Sequence, residues 1–486
     1  MDRADVVVIG SGFGGLGAAL ELARRGRDVV VLEAMNYPGG CGSTHTRHGV
    51  RFESGATLAT GVQPGQLFHR WLERYGIELD GTRLDPVMVQ VLTLDGEPVE
   101  VPLPADRWAW LEALRPLGVD LDSVARFLRE QEQVAEPLWD LFDHPELLPP
   151  LSASALATHV GRAHRYLRAL PGVGRPLSRR LAHHGIADGP ARRLIDGLCQ
   201  ITVQCGAGQA EAPFALGALE AFFRGTTHLE GGVGALAEAL VEGLGQEGGQ
   251  VRYAHRALGL WREGGRWIVT TNQGDVSANS VLANTLPGDL LRMWDDPPIH
   301  AEVALKARQR QVETGWGAAM LYRQLSADAP LGPEAGHRQL LGDGLVDGRS
   351  VFLSWSAASE ARGSQGARTL VASTHVPLPG GHAQLTADDV SGVQERMRST
   401  VAELAPDLAA ATTEEWTASP RTFARFTRRS SGHVGGVPRR AGLAGYVSLW
   451  PRPVGDHLWL VGDSGLFGQS LLAAAVGGSR VAAAVG

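Results

Sequence analysis

The chain has 486 residues, a formal net charge of −7 and 44% hydrophobic residues. That length predicts more than one lobe around a large core, the acidic balance gives no support to a nucleic-acid partner, and no apolar run reaches the length of a membrane span. Cys41, Cys199 and Cys205 are the only cysteines and lack metal-ligand spacing, so no metal is expected and a reducing, cytoplasmic compartment fits best. The first strand signal begins almost at Met1, which leaves no room for a signal peptide.

Val6-Val7-Val8-Ile9 is continuously apolar and β-branched, the pattern of a strand buried on both faces. Gly10, Gly12 and Gly15 follow with the spacing G-x-G-x-x-G. The first permits a tight turn, the second lets backbone approach a pyrophosphate, and the third lets helix pack on strand. Leu16, Ala19, Leu20 and Ala23 then share a helical face, and Gly26 can cap that helix. Val29 to Leu32 reads as a second strand ending at Glu33, where a carboxylate can accept from both hydroxyls of an adenosine ribose. Strand, glycines, helix, strand and acid in register predict a dinucleotide site, its pyrophosphate at the helix N-terminus. Only one complete fingerprint is present, so a second nucleotide substrate is not indicated.

Tyr37 to Thr44 is a glycine-rich loop, and Val50 to Thr57 reads as a short strand entering a glycine turn. From Gln63 to about Arg224 the pattern is helical, broken by Pro-Gly and Pro-Pro, with Trp108, Trp110, Leu111 and Leu114 clustering apolar surface. Eight arginines (Arg162, Arg165, Arg168, Arg175, Arg179, Arg180, Arg192, Arg193) and one acid, Asp188, lie between positions 162 and 193. This stretch, interleaved with Tyr166, Leu167, Leu170 and Leu177, fits either an anionic membrane surface or a solvated basic face. Gly231-Gly232-Val233-Gly234 opens a further helix. Strands are expected at Gln250 to Tyr253, Ala257 to Trp261, Arg266 to Thr271 and Val281 to Asn284, then at Val351 to Trp355 and Leu370 to His375. Leu458 to Asp463 reads as a buried strand ending in Gly-Asp, and Leu471 to Val485 as a helix of small residues. Lys306 is the only lysine.

These pieces together resemble the flavin-dependent amine oxidase and phytoene desaturase superfamily, and within it the carotenoid desaturase and isomerase branch. The residues that carry the resemblance are Val8 to Gly15 through Glu33, Pro38 to Ser43, Gly231 to Leu236, Ser373 to His375, Thr422 to Thr427, Gly435-Gly436 and Leu460 to Asp463. The run Pro38 to Thr44 followed by Phe52 to Thr57 is most similar to the carotenoid 3′,4′-desaturases. The resemblance implies an α/β fold: a Rossmann-like FAD-binding domain of glutathione-reductase type from 1–60, 226–290 and 440–486, and a mixed α+β substrate domain from 61–225 and 291–439. FAD would be held by Gly10, Ser11, Gly12, Phe13, Gly14, Gly15, Glu33, Ala34, Gly40, Gly42, Ser43, Gly55, Ala56, Thr57, Val251, Gly462 and Asp463. In that set Val251 would meet the adenine through its backbone and Asp463 would hold the ribityl end. Cys41 stands where many amine-oxidase relatives have arginine, and is read as a small loop residue rather than a covalent flavin link. Glu53 stands where the family has aspartate.

The activity implied is removal of two hydrogens across C3′–C4′ of an acyclic carotenoid end, for example that of 1′-hydroxy-γ-carotene. Hydride would pass to flavin N5, and a proton would leave the neighbouring carbon. Since the polyene delocalises the positive charge, orientation matters more than a strong acid–base pair, and no catalytic base is assigned. His45, His48 and Glu53 lie near the expected flavin loops and read as structural. An apolar carotenoid would be taken from a membrane surface by a peripherally attached enzyme. Redox-neutral carotenoid isomerisation shares nearly every motif; an amine or amino-acid oxidase, or a redox-inactive escort of prenylated partners, are the remaining readings.

Overall fold

A strand whose residues are apolar on both faces must be covered on both, and the first strand lies inside an eight-stranded sheet. The computed structural model describes residues 1–466 and 468–485; Gly486, the end of the last segment expected in the nucleotide lobe, lies outside them. Strand β1 (Asp2–Ile9) pairs in parallel with β2 (Val29–Leu32) on one side and with Gly274–Ala283 on the other. Gln250–Arg252 extends the sheet beyond β2, and Leu458–Leu460 runs parallel to the C-terminal part of Gly274–Ala283. An antiparallel meander, Ala257–Glu263, Arg266–Thr271 and Gly274–Ala283, completes the path. Helix α1 (Phe13–Arg24) and the helices Val233–Gln246 and Leu471–Val485 cover one face through Val6, Val8, Leu16, Leu236 and Val476. Val7, Ile9, Trp267, Trp294 and Leu305 build the core on the other.

A second sheet has seven strands in the order Thr412–Ala418, Trp316–Leu325, Thr369–Pro377, Ser350–Trp355, Gly336–Leu341, Met88–Leu94, Glu97–Leu103. Helix Ala387–Leu404 covers one face of it with Val393, Met397 and Val401. The helices between Arg107 and Phe223 gather around Phe127, Leu128, Leu194, Leu198 and Leu216.

Val29–Leu32, Arg266–Thr271 and Leu471–Val485 form over the residues expected. Two segments differ. The strand expected at Val281 to Asn284 is the end of a ten-residue strand, Gly274–Ala283, whose first six residues expose Asp275 and Asn279 and so lack an apolar run. The region from Gln63 to Arg224 is not wholly helical: it contains the hairpin Met88–Leu94 and Glu97–Leu103. Its turn is Asp95-Gly96, at φ 50° and 86°, a two-residue connection whose positive φ values suit Asp-Gly.

Three of the eight arginines in the basic stretch are neutralised by one neighbour. Helix Leu121–Asp143 presents Glu130, Glu136 and Asp140, which pair with Arg180, Arg165 and Arg162. Arg192 pairs with Asp196, and Arg193 donates to the Thr93, Leu341 and Gly342 carbonyls. Arg168, Arg175 and Arg179 are exposed. No described helix is long and apolar enough to cross a membrane.

His337, on Gly336–Leu341, is buried against Phe352 with its ring centroid 5.4 Å away, and neither ring nitrogen has a hydrogen-bond partner. Burial lowers its pKa to about 3, and burial lowers that of His375 to about 4. Below pH ~6.5 the unfolded chain takes up protons that these folded rings refuse, so stability falls from that pH down toward the folded values. His337→Phe keeps the packing and should shrink the loss of unfolding free energy between pH 6.5 and 5 by about 2 kcal/mol. Urea denaturation at the two pH values tests this; an acid loss equal to that of the parent protein would count against it.

Candidate functional site: a nucleotide cradle opening into an apolar cavity

The glycine turn after β1 is built by close backbone approach. Gly10 has φ 94°, and a Cβ at Gly15 would overlap the Gly10 carbonyl oxygen, so helix α1 meets β1 only because position 15 has no side chain. Gly12 caps α1 without a side-chain acceptor, which leaves the first helical N–H groups free for an anion. Asn284 fills the space beside Gly10 and Gly12, and Cβ atoms at Gly14 and Gly462 would collide with Gly462 and Asn284 respectively. The Gly-Asp turn at the other end of the chain is thereby fixed against the start of α1.

Glu33 is held before any ligand arrives. Its Oε2 accepts from the Ser11 backbone N–H (2.9 Å) and hydroxyl (2.6 Å), and its Oε1 accepts from the Met35 N–H (2.8 Å). Gly39 N–H donates to the Ser11 carbonyl at 2.9 Å, which ties the Pro38 to Thr44 loop to the first glycine turn. Ser43 Oγ lies 2.7 Å from Ser54 Oγ, and Tyr322 donates to the Ser54 carbonyl at 2.9 Å, so the 54–57 turn is anchored to the second sheet.

One cavity of about 1710 Å³ runs from this cradle into the space between the two sheets. Gly10, Gly12, Phe13, Gly14, Glu33, Ala34, Gly40, Gly42, Ser43, Gly55, Ala56, Thr57, Gly462 and Asp463 line it. Three expected residues do not line it. Ser11 is turned to Glu33, and Gly15 is packed on Gly10. Val251 pairs with Val31 in the ladder and packs on the core, and Arg256, Ala257 and Leu258 line the wall instead. The wall beyond the cradle is mainly apolar, with Leu138, Leu141, Phe142, Phe214, Phe222 and Phe352 among its residues.

Sequence reasoning missed Asn284 and Arg429. Arg429 Nη2 lies 2.9 Å from both Asp463 oxygens, and its Nε donates to the His433 carbonyl at 2.8 Å. The Asp463 carboxylate raises the pKa of Arg429 against its burial. Burial raises that of the Cys41 thiol beside it, although Arg429 pulls the other way. Arg429 thus brings a cation to the cradle from 388 positions beyond Cys41, a contact that no local pattern records. Glu53 also finds a role: it accepts from Val233 N–H (3.2 Å), Thr44 hydroxyl (3.0 Å) and Arg362 (3.2 Å), and so caps the helix Val233–Gln246. His375 lies 3.3 Å from the Gln200 amide and is kept neutral by burial. Among the described residues no cluster of His, Cys, Asp and Glu is arranged to hold a metal.

The free N–H groups, the preset Glu33 carboxylate and the glycine-lined floor fit FAD, which when bound would supply hydride acceptance. Glu33→Gln removes a charged acceptor and should weaken FAD binding by about tenfold to a hundredfold. Flavin fluorescence during titration of the apoprotein tests this, and an unchanged Kd would remove Glu33 from the site.

The flavin containing amine oxidoreductase family model matches residues 13–436. Hydroxyneurosporene desaturase of Cereibacter sphaeroides is 30% identical over 296 residues, covering 59% of this chain and only 57% of the relative. Chloroplastic prolycopene isomerase 2 of an Oncidium hybrid cultivar is 25% identical over 542 residues, covering 100% of this chain and 85% of the relative. Among solved structures, putrescine oxidase bound to putrescine gives a TM-score of 0.61 at 18% identity and covers 99% of both chains. A CLA-producing fatty acid isomerase from P. acnes gives 0.61 at 14%, covering 99% of this chain and 98% of that one; both likenesses concern the fold alone. The chain belongs to the family of flavin-containing amine oxidoreductases, with FAD as its cofactor.

Proposed function

We propose that this protein is an FAD-dependent carotenoid desaturase that introduces a 3′,4′ double bond into an acyclic carotenoid end. The observation that carries the reading is the large cavity, which joins the nucleotide cradle to a mainly apolar wall. A carotenoid has tens of carbons, and burying them at ~0.8 kcal/mol per CH₂ supplies ample binding energy. The chain's own residues orient the substrate and exclude water, while Cys41, Tyr322 and His375 are each held neutral by burial. The names of the desaturase and isomerase relatives support the substrate class. The whole-chain match to prolycopene isomerase favours cis–trans isomerisation as the second reading. An amine oxidase is disfavoured because Lys306 is exposed, pairs with Glu302 and does not line the cavity.

Incubation of the FAD-loaded protein with 1′-hydroxy-γ-carotene in liposomes should give a product lighter by two hydrogens and red-shifted in absorption. Unchanged mass with altered retention would make the protein an isomerase.

The substrate is supplied, in this reading, by an anionic membrane surface. Leu156, Val160, Leu167 and Leu170 are 56%, 72%, 59% and 60% exposed, and Arg168, Arg175 and Arg179 are exposed beside them. Leu443, Val447 and Trp450 continue this surface, with Leu443 set against Gly174, and Leu449 between them lines the cavity. Docked lipid therefore meets the cavity wall. Flotation with vesicles containing phosphatidylglycerol should lift the parent protein, and Leu167→Glu with Leu170→Glu should leave it at the bottom. Equal flotation of both would refute this surface.

A further inference from the structure

One polar stripe crosses the second sheet where it borders the cavity. Strand Thr369–Pro377 lies between Trp316–Leu325 and Ser350–Trp355, with His375 opposite Ala318, and Ser373 opposite both Met320 and Phe352. Side chains directly opposite one another share a face of a sheet, so His375 and Ser373 project to the side on which Ala318, Met320 and Phe352 line the cavity. Continued by two residues, the same register sets Ser350 opposite His375, and the Thr374 hydroxyl donates to the Ser350 carbonyl at 2.7 Å. From the facing helix Gly189–Val203, Gln200 reaches this stripe with its Nε2 3.3 Å from His375 Nδ1. An amide nitrogen can only donate, so Nδ1 accepts and the neutral ring carries its hydrogen on Nε2. Among the described residues, that Nε2, Gln200 Oε1 and the Ser350 and Ser373 hydroxyls have no hydrogen-bond partner. None of the four is among the polar atoms sealed in by neighbours, and all four residues line the cavity.

A hydrocarbon that fills the cavity and expels its water leaves the imidazole N–H unpaired, which is costly. An anion is not matched either, because burial alone moves the pKa of His375 and no charged group acts on the ring. An uncharged oxygen accepts from Nε2, and as a hydroxyl it has a hydrogen to give in return. We propose that His375, oriented by Gln200 and flanked by Ser350 and Ser373, is the oxygen-reading subsite of the cavity and selects a polyene that carries an alcohol. The helix that orients His375 is tied to the cofactor cradle. One turn beyond Gln200, the Gln204 amide donates to the Gly435 carbonyl, and Gln469 donates to the Ile201 and Thr202 carbonyls at 2.8 and 2.6 Å. Chain on either side of Asp463 thus fixes the end of the helix that sets the imidazole. This deepens the carotenoid reading and rests on it for the polyene, but the readout is binding and does not need turnover.

The test titrates the FAD-loaded full chain with 1′-hydroxy-γ-carotene and with 1′,2′-dihydro-γ-carotene, which has hydrogen in place of the hydroxyl. Tryptophan quenching reads each Kd, and product analysis follows turnover in parallel. The parent protein should bind the alcohol about tenfold more tightly, the scale of a hydrogen bond whose loss leaves a buried donor unpaired. His375→Phe should bring the ratio to about one without weakening the hydrocarbon, and His375→Gln, which keeps a donor, should restore part of the preference. Gln200→Leu frees the ring to exchange tautomers and should lower the ratio about threefold. If His375→Phe does not fold, His375→Gln and Gln200→Leu carry the same comparison. Tighter binding of the alcohol without turnover leaves the subsite standing and overturns only the desaturase reading. Binding of neither carotenoid overturns the carotenoid reading and the subsite with it. Equal binding of the two by the parent protein, or a ratio that His375→Phe leaves unmoved, would overturn the subsite alone.

Discussion

The architecture depends on three chain segments meeting at backbone distance around the Asn284 side chain. Gly12 after β1, Gly14 in α1 and Gly462 before Asp463 approach it or one another so closely that no Cβ fits, and Gly10 packs beside it at φ 94°. These positions are separated by hundreds of residues, so the contact cannot form until both ends of the chain have joined the eight-stranded sheet. Once it forms, the free helix N-terminus, the Glu33 carboxylate and the Asp463 turn lie along one surface. The cofactor cradle is thus a consequence of sheet assembly, and its glycines are required by packing as much as by the ligand.

Buried charge joins the cradle to the second sheet. Arg362 bridges Glu53, at the flavin loops, to Glu360, which also accepts from His228 at 2.7 Å. Despite the cost of burial, these partners lower the pKa of Glu360 to about 2, so it is ionised at neutral and mildly acidic pH. On Glu53 burial prevails and raises the pKa, with Arg362, Thr44 and the Val233 N–H opposing it. Removing either member would leave an uncompensated charge inside, which makes the network a register for how the substrate sheet sits over the loops.

Much of the fold was legible because its signals are local. Four consecutive β-branched or apolar residues, a glycine spacing and a terminal acid each encode their own geometry, and the helix Leu471–Val485 is delimited by composition alone. The hairpin at Asp95-Gly96 was equally local but was hidden inside a region dominated by helical spacing. What could not be read were contacts made by long side chains across the fold. Arg429 reaches Asp463, and Glu130, Glu136 and Asp140 neutralise arginines that look unpaired in the sequence. The two short strands Gln250–Arg252 and Ala257–Glu263 follow each other so closely that the sequence carries no signal for which of them borders the cavity, and Ala257 does.

The distribution of charge within the cavity also constrains the chemistry. Asp463 is matched by Arg429, and the thiol, phenol and imidazole of Cys41, Tyr322 and His375 are neutral. Asp289, also on the lining, pairs with Arg292, and Glu33 is engaged by Ser11 and Met35, so these carboxylates border the cavity already partnered. In the proposed carotenoid reading, the positive charge that develops on the substrate is spread along its own carbons. A conjugated polyene does this within the substrate itself, whereas an amine keeps its positive charge on one nitrogen.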